Sequence, residues 1–139
     1  MFEVDGVYVY RDGVYSRLSI DGPYVPEVDG VHAIYFRNVR CPGCKAFDSI
    51  WRDFVERYRG RAFYAVVQCT NFFAECSDVA ALDSFIFYLV FETPQVVVVV
   101  VENGMPIYIE REVGFTCVDS LADFVFNVRE RMARAAETA

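Results

Sequence analysis

Apolar residues recur along the chain with two periods, and the changes from one to the other mark out its elements. Val7–Tyr10 and Val14–Ile20 are β-forming runs on either side of Arg11-Asp12-Gly13, a turn signal, and together they predict a hairpin. Asp21-Gly22-Pro23 and Pro26 follow, and no helix tolerates that stretch, so 21–30 is expected to be an irregular connection. Val31–Val39 predicts a strand that runs straight into Cys41-Pro42-Gly43-Cys44. From Pro42 to Tyr58 the period changes. Phe47, Ile50, Trp51, Phe54, Val55 and Tyr58 recur at helical spacing until Arg59-Gly60 ends the run. Ala62–Gln68 predicts a second strand, and Ser77–Leu89 a helix with Val79, Leu82, Ile86 and Leu89 on one face. Val96–Val101 is uninterrupted valine, the pattern of a strand covered on both faces. Glu102-Asn103-Gly104 reads as a hairpin turn into a returning strand at Ile107–Arg111, and Ser120–Met132 as one amphipathic helix opening after Thr116.

From residue 31 the order is strand–helix–strand–helix–strand–strand–helix. A helix joins the first two strands, which makes them parallel, and a tight turn joins the last two, which makes them antiparallel. The expected fold class is α/β, a mixed sheet flanked by helices, with residues 1–30 as an N-terminal β-hairpin extension and 31–139 as the main domain. A chain of 139 residues with 55% hydrophobic and 24% charged content suits one folded domain and excludes disorder. The apolar runs Phe85–Phe91 and Val96–Val101 are each far shorter than the roughly 18 residues a membrane span needs, so no membrane partner is expected. Net charge is -7, which repels phosphate backbones and argues against a nucleic-acid partner. Met1-Phe2-Glu3-Val4-Asp5 has neither a basic start nor an apolar stretch, so a cytoplasmic location is expected. In that compartment a set of 5 cysteines points to catalysis or metal rather than to a disulfide scaffold. Hyperthermophile cytosols are the exception, and few Asn and Gln with arginine in place of lysine are compatible with a thermophile.

The chemistry concentrates where the first strand meets its helix. Cys41 would sit at the helix N-terminus, where unpaired N–H groups and the helix dipole favour an anion. In such a setting a thiol pKa of about 8.5 can fall to roughly 3.5–7.5. Pro42 suits the first helical position, and three residues on, Cys44 falls within disulfide reach of Cys41. Arg40 and Lys45 flank the pair and are expected to add to thiolate stabilisation.

These residues resemble the thioredoxin superfamily over roughly 31–135, which implies a thioredoxin-like fold. Cys41-Pro42-Gly43-Cys44 is similar to the family's redox motif, with Cys41 as nucleophile and Cys44 as resolving cysteine. Thr93-Pro94, directly before the valine strand, resembles the cis-proline that lies beside the dithiol. Val113-Gly114 resembles a third substrate-contacting loop, and Gly104 sits at the family's hairpin turn. The resemblance implies a protein disulfide oxidoreductase that needs no cofactor. Substrate would contact Arg40, Pro42, Gly43, Thr93, Pro94, Val113 and Gly114. Its partners would be protein disulfides or dithiols, with a thioredoxin reductase-like electron donor and a homodimer among the options. Val67-Gln68-Cys69-Thr70 with Cys76 is similar to a stretch of some protein disulfide isomerase domains that carries a non-catalytic disulfide. Two readings of it stand: a Cys69–Cys76 bridge, or a small buried Cys69 with Cys76 as an ordinary helix-start residue.

The chain also departs from the pattern. Arg40 stands where thioredoxins have Trp, and Tyr35 where they bury an acid that helps deprotonate the resolving cysteine. The helix between the family's first two strands is missing. With two flanking cations and no acid at position 35, a potential above that of a reducing thioredoxin is expected. Other readings compete. The Cys-Pro-x-Cys spacing is that of one zinc knuckle, but a second pair is lacking, so no metal is expected. A redox-inert module could keep the fold and bind a partner through an aromatic surface. Phe85, Phe87, Tyr88 and Phe91 would form that surface, although core packing is the favoured role for them. His32 reads as a satisfied structural side chain, and Cys117 as an inert, partly buried cysteine.

Overall fold

The computed structural model describes residues 1–114 and 117–138. Six strands form one sheet, and their chain order is β1 (Gly6–Arg11), β2 (Val14–Arg17), β3 (Gly30–Asn38), β4 (Phe63–Cys69), β5 (Gln95–Glu102) and β6 (Met105–Val113). Across the sheet they run β2-β1-β4-β3-β5-β6. Only β3 and β4 are parallel, as the helix between them requires. β5 pairs antiparallel with both β3 and β6. The 1–30 hairpin belongs to this same sheet, because β1 lies antiparallel along β4 from Gly6↔Gln68 to Val9↔Ala65. β2 stops at Arg17 rather than Ile20; the Arg17 guanidinium turns to the Asp5 carbonyl and the Asp78 carboxylate.

Helices cover both faces, as the valine run implied. All residues from Val96 to Val101 are buried, and they alternate between two cores. Val96, Val98 and Val100 meet α1 (Pro42–Arg57), α3 (Val118–Phe126) and α4 (Val128–Glu137), with Trp51 and Phe54 at the centre. Val97, Val99 and Val101 share the opposite core with α2 (Val79–Phe87). Each fully buried valine contributes about 1.5–3 kcal/mol relative to exposure. Asn103 and Gly104, both at positive φ, turn β5 into β6. Among the described residues no helix is long and apolar enough to cross a membrane.

Two expectations need correcting. In α2 the buried residues are Ala80, Ala81, Ser84 and Phe85, whereas Val79, Ile86 and Leu89 are exposed. The helix is apolar on nearly every side, so its periodicity selects no face, and the choice falls to shape and hydrogen bonding. Small Ala80 and Ala81 let it lie close to the sheet. The Ser84 hydroxyl donates to the Ala80 carbonyl at 2.7 Å and accepts the Tyr24 N–H at 2.9 Å, pinning the 18–29 connection beneath it. The aromatic set divides accordingly: Phe85 and Tyr88 are core, but Phe87 and Phe91 are exposed. The expected single helix after Thr116, itself outside the described residues, is two helices that break at Asn127. There the side chain donates to the Asp123 carboxylate at 3.0 Å and the backbone turns out of helical geometry, as a weak helix former with a competing side-chain bond permits.

Candidate functional site

The C-terminal ends of β3 and β4, the start of α1 and the turn into β5 converge on one place. Asn38 ends β3, and its carbonyl accepts the Cys41 N–H at 3.2 Å, so the chain turns sharply into α1. Cys41 is the extended N-cap residue, and its sulfur accepts the Cys44 N–H at 3.1 Å. Pro42 occupies the first helical position without losing a needed donor. Cys41 is half-buried, whereas Cys44, one turn on, is fully buried. Both are free thiols.

The other predicted residues largely gather here. The Thr93–Pro94 peptide is cis, and the Cys41 thiol donates to the Thr93 carbonyl at 3.5 Å. Glycine at position 43 lets Pro94 pack close over it: a Cβ there would lie 3.2 Å from Pro94 Cδ and 3.9 Å from Cys41 Sγ. Gly114, at φ 71°, donates its N–H to the Pro94 carbonyl at 3.1 Å, and Val113 pairs with Gln95 beside it. Pro42, Gly43, Val113 and Gly114 are exposed around the half-buried Cys41, leaving a face that an extended polypeptide can approach. Arg40, next to Cys41 in the chain, is exposed, and its guanidinium pairs at 2.9 Å with Glu75. Lys45 is exposed.

Burial, followed by the adjoining Cys41, pushes the Cys44 thiol up to about 11, against opposing hydrogen bonds from the Thr93 hydroxyl and the Asn38 backbone. Cys44 is therefore protonated at neutral pH, and Cys41 is the sulfur placed to react first. Beneath Cys44 lies a polar cluster that the sequence did not disclose. The Tyr35 hydroxyl donates to Asp48 Oδ1 at 2.8 Å and lies 3.1 Å from the Cys44 carbonyl oxygen. Arg37 grips the same carboxylate with Nε at 2.9 Å and Nη2 at 3.0 Å, and its Nη1 donates to Gln68. The acid of this cluster thus comes from α1, one turn beyond Cys44, and is bound to Tyr35 and Arg37. The available signal was charge on a buried period: Arg37 on an apolar strand, and Asp48 one turn beyond Cys44 on the stripe shared with Trp51.

Of the two readings for the 69–76 stretch, the structure has the bridge. Cys69 and Cys76 form a disulfide with Cα atoms 4.7 Å apart, and paired backbone bonds between Asn71 and Glu75 tighten the loop inside it. His32 is buried, stacks on Phe63 and bonds the Val28 carbonyl at 2.6 Å; burial holds its pKa below the usual value, as suits a structural imidazole. Cys117 is not partly buried, as had been expected. It is exposed at the N-cap of α3, and hydrogen bonds from Ser120 lower its pKa. Among the described residues, no cluster of His, Cys, Asp and Glu is arranged to hold a metal ion.

No protein-family model matches the chain, and no curated protein matches it in sequence. Solved structures do. The oxidised form of mitochondrial thioredoxin 3 from Saccharomyces cerevisiae superposes with a TM-score of 0.50 at 18% identity, covering 73% of this chain and 81% of that one. At this identity the likeness is one of architecture: the chain has a thioredoxin-like fold.

Proposed function

We propose that this thioredoxin-fold chain is a thiol–disulfide oxidoreductase acting on protein disulfides and dithiols through Cys41 and Cys44. One observation carries the reading: a half-exposed sulfur caps α1 beside cis-Pro94, with a second, fully buried thiol one turn behind it. Residues 31–139 would carry this chemistry, and the 1–30 hairpin would extend its sheet.

In the reducing direction the Cys41 thiolate attacks one sulfur of a substrate disulfide. A Cys41–substrate bond forms, and the other substrate sulfur leaves with the electron pair and takes a proton from water. Cys44, having lost its own proton to water, then attacks Cys41. The Cys41–Cys44 bond forms, the mixed disulfide breaks, and the second substrate sulfur leaves as a thiolate. The substrate gains two electrons and the dithiol loses two. Run backwards, the same steps oxidise a substrate dithiol. Thr93, Pro94, Val113 and Gly114 would hold the substrate backbone, with Arg40, Pro42 and Gly43 forming the rim. The buried dithiol partner and the packing of Pro94 on Gly43 support this over a redox-inert module.

The test is insulin reduction with dithiothreitol as electron donor. Catalysed precipitation is expected from the wild-type chain and none above background from Cys41→Ser. A wild-type chain no faster than dithiothreitol alone would overturn the proposal.

A further inference from the structure

We propose that the groove at the end of the sheet opposite the dithiol binds a nucleoside phosphate, a planar aromatic base carrying a polyanion. The site stands apart from the exchange reading above and does not depend on it. β3 runs into the dithiol at its C-terminal end, whereas the first residues of β3 and β4, Gly30 and Phe63, line a groove of about 840 Å³. Sites for drug-sized ligands span roughly 300–1,000 Å³, so the space suits a nucleotide and far exceeds a single inorganic anion. Four arginines line it, Arg11, Arg59, Arg61 and Arg129, against one acid, Asp12. In a chain of net charge -7 that is a local reversal of sign.

The cations are available to a ligand. Arg11 and Arg61 are exposed and, among the described residues, have no carboxylate partner; the Arg61 guanidinium lies 4.8 Å over the Phe126 ring. Arg59 and Arg129 pair with Glu56 and Glu102, but these side chains are half exposed, and pairs so open to water are weak. Guanidinium forks match phosphate oxygens two at a time, and several of them call for more charge than one carboxylate carries. The floor supplies the other half of the site. Val9, Ile34 and Ala65 pack into the α2-side core, so strand alternation puts Arg11, His32 and Phe63 on that same side of the sheet. His32 is buried and stacks on Phe63 with ring centroids 4.6 Å apart, while Phe63 is 45% exposed. The Phe63 ring therefore offers the groove a flat apolar surface backed by a fixed imidazole. At Gly30, with φ 136°, a Cβ would lie 3.0 Å from Phe63 Cε2 and crowd this platform, and at Gly60 a Cβ would meet nothing within 4 Å. Stacking on such a platform accepts the face of any base.

The test is titration of the full chain with ADP at low salt, followed by amide chemical shifts, with adenosine and pyrophosphate as the two half-ligands. ADP should saturate, with its shift changes clustered on Val9–Asp12, Val28–His32 and Arg59–Tyr64. It should bind at least about tenfold more tightly than either half, since each half makes only part of the contacts. Arg11→Met should weaken ADP and pyrophosphate about fivefold or more and leave adenosine unmoved; Phe63→Ala should weaken ADP and adenosine by a similar factor and leave pyrophosphate unmoved. Phe63→Leu keeps an apolar side chain at the strand start and replaces the alanine variant should that one fail to fold. Cys41→Ser should bind ADP as the wild type does, so a chain that fails to reduce insulin would sink the proposed function and leave this site standing. No saturation by millimolar ADP overturns the site, as do shift changes centred elsewhere or folded variants that bind like the wild type. Pyrophosphate binding as tightly as ADP marks a simple anion site and overturns the proposal, and a polyglutamate peptide that outcompetes ADP for the groove does so too.

Discussion

Removing the Asp48 carboxylate should be among the most damaging single changes to stability in the molecule. Arg37 is 2% exposed, and Asp48 gives it two of its three side-chain hydrogen bonds; only Gln68 would remain. Asp48→Leu leaves a guanidinium charge without its counterion in a site that water does not reach. Breaking a buried pair in this way costs about 3–5 kcal/mol. A 139-residue domain has a total stability of about 7–20 kcal/mol, so the loss is a large fraction of it. With an unfolding entropy of about 2.1 cal/mol/K per residue, the midpoint should fall by roughly 10–17 °C. The comparison that isolates the cause is Arg37→Met/Asp48→Leu, in which neither charge remains. It should recover most of the loss, since replacing a buried pair by apolar residues is often neutral or better. Urea unfolding of the reduced wild type and both variants, at equal m-value, reads the difference directly. A single-variant loss under about 1 kcal/mol, or a double variant no more stable than the single, would refute the reasoning.

Other consequences are smaller. Cys69→Ala/Cys76→Ala should cost about 2.5 kcal/mol on the chain-entropy account for a closed loop this short, and chemical denaturation measures it. Gly43→Ala should leave stability unchanged or raise it slightly, since alanine suits a helix's first turn. Its Cβ, 3.2 Å from Pro94 Cδ, should nonetheless slow insulin reduction about three- to tenfold. Reduced protein should lose stability as pH rises from 9 towards 11. Cys44 holds its proton in the folded chain to about 11, while the unfolded thiol releases it near 9, so the unfolded state binds fewer protons over that window. The effect is at most about 2–3 kcal/mol, read as the wild-type slope minus that of Cys44→Ser.

What the sequence disclosed and what it hid divide along physical lines. Cys41 and Cys44 were legible because a helix start and a three-residue spacing are local facts. Val96–Val101 was legible because only burial on both faces explains such a run. The inward face of α2 was not, since a helix apolar all round leaves the choice to Ser84 and Tyr24, 60 residues apart. Arg37 and Asp48 each look misplaced alone and make sense only once β3 and α1 are stacked. Asn38 and Thr93 are 55 residues apart, and Asn38 meets Phe72 only because a disulfide loop brings that N–H round. The pairing of Arg40 with Glu75, 35 residues on, is likewise set by the fold and not by neighbouring sequence.

The central claim is that Cys41 attacks and Cys44 resolves. The most direct measurement is mass spectrometry of Cys44→Ser protein after incubation with an oxidised, disulfide-containing polypeptide. A covalent adduct reversed by dithiothreitol and mapped to Cys41 is predicted, with none in Cys41→Ser. Absence of adduct, or an adduct mapped to Cys117, would contradict it.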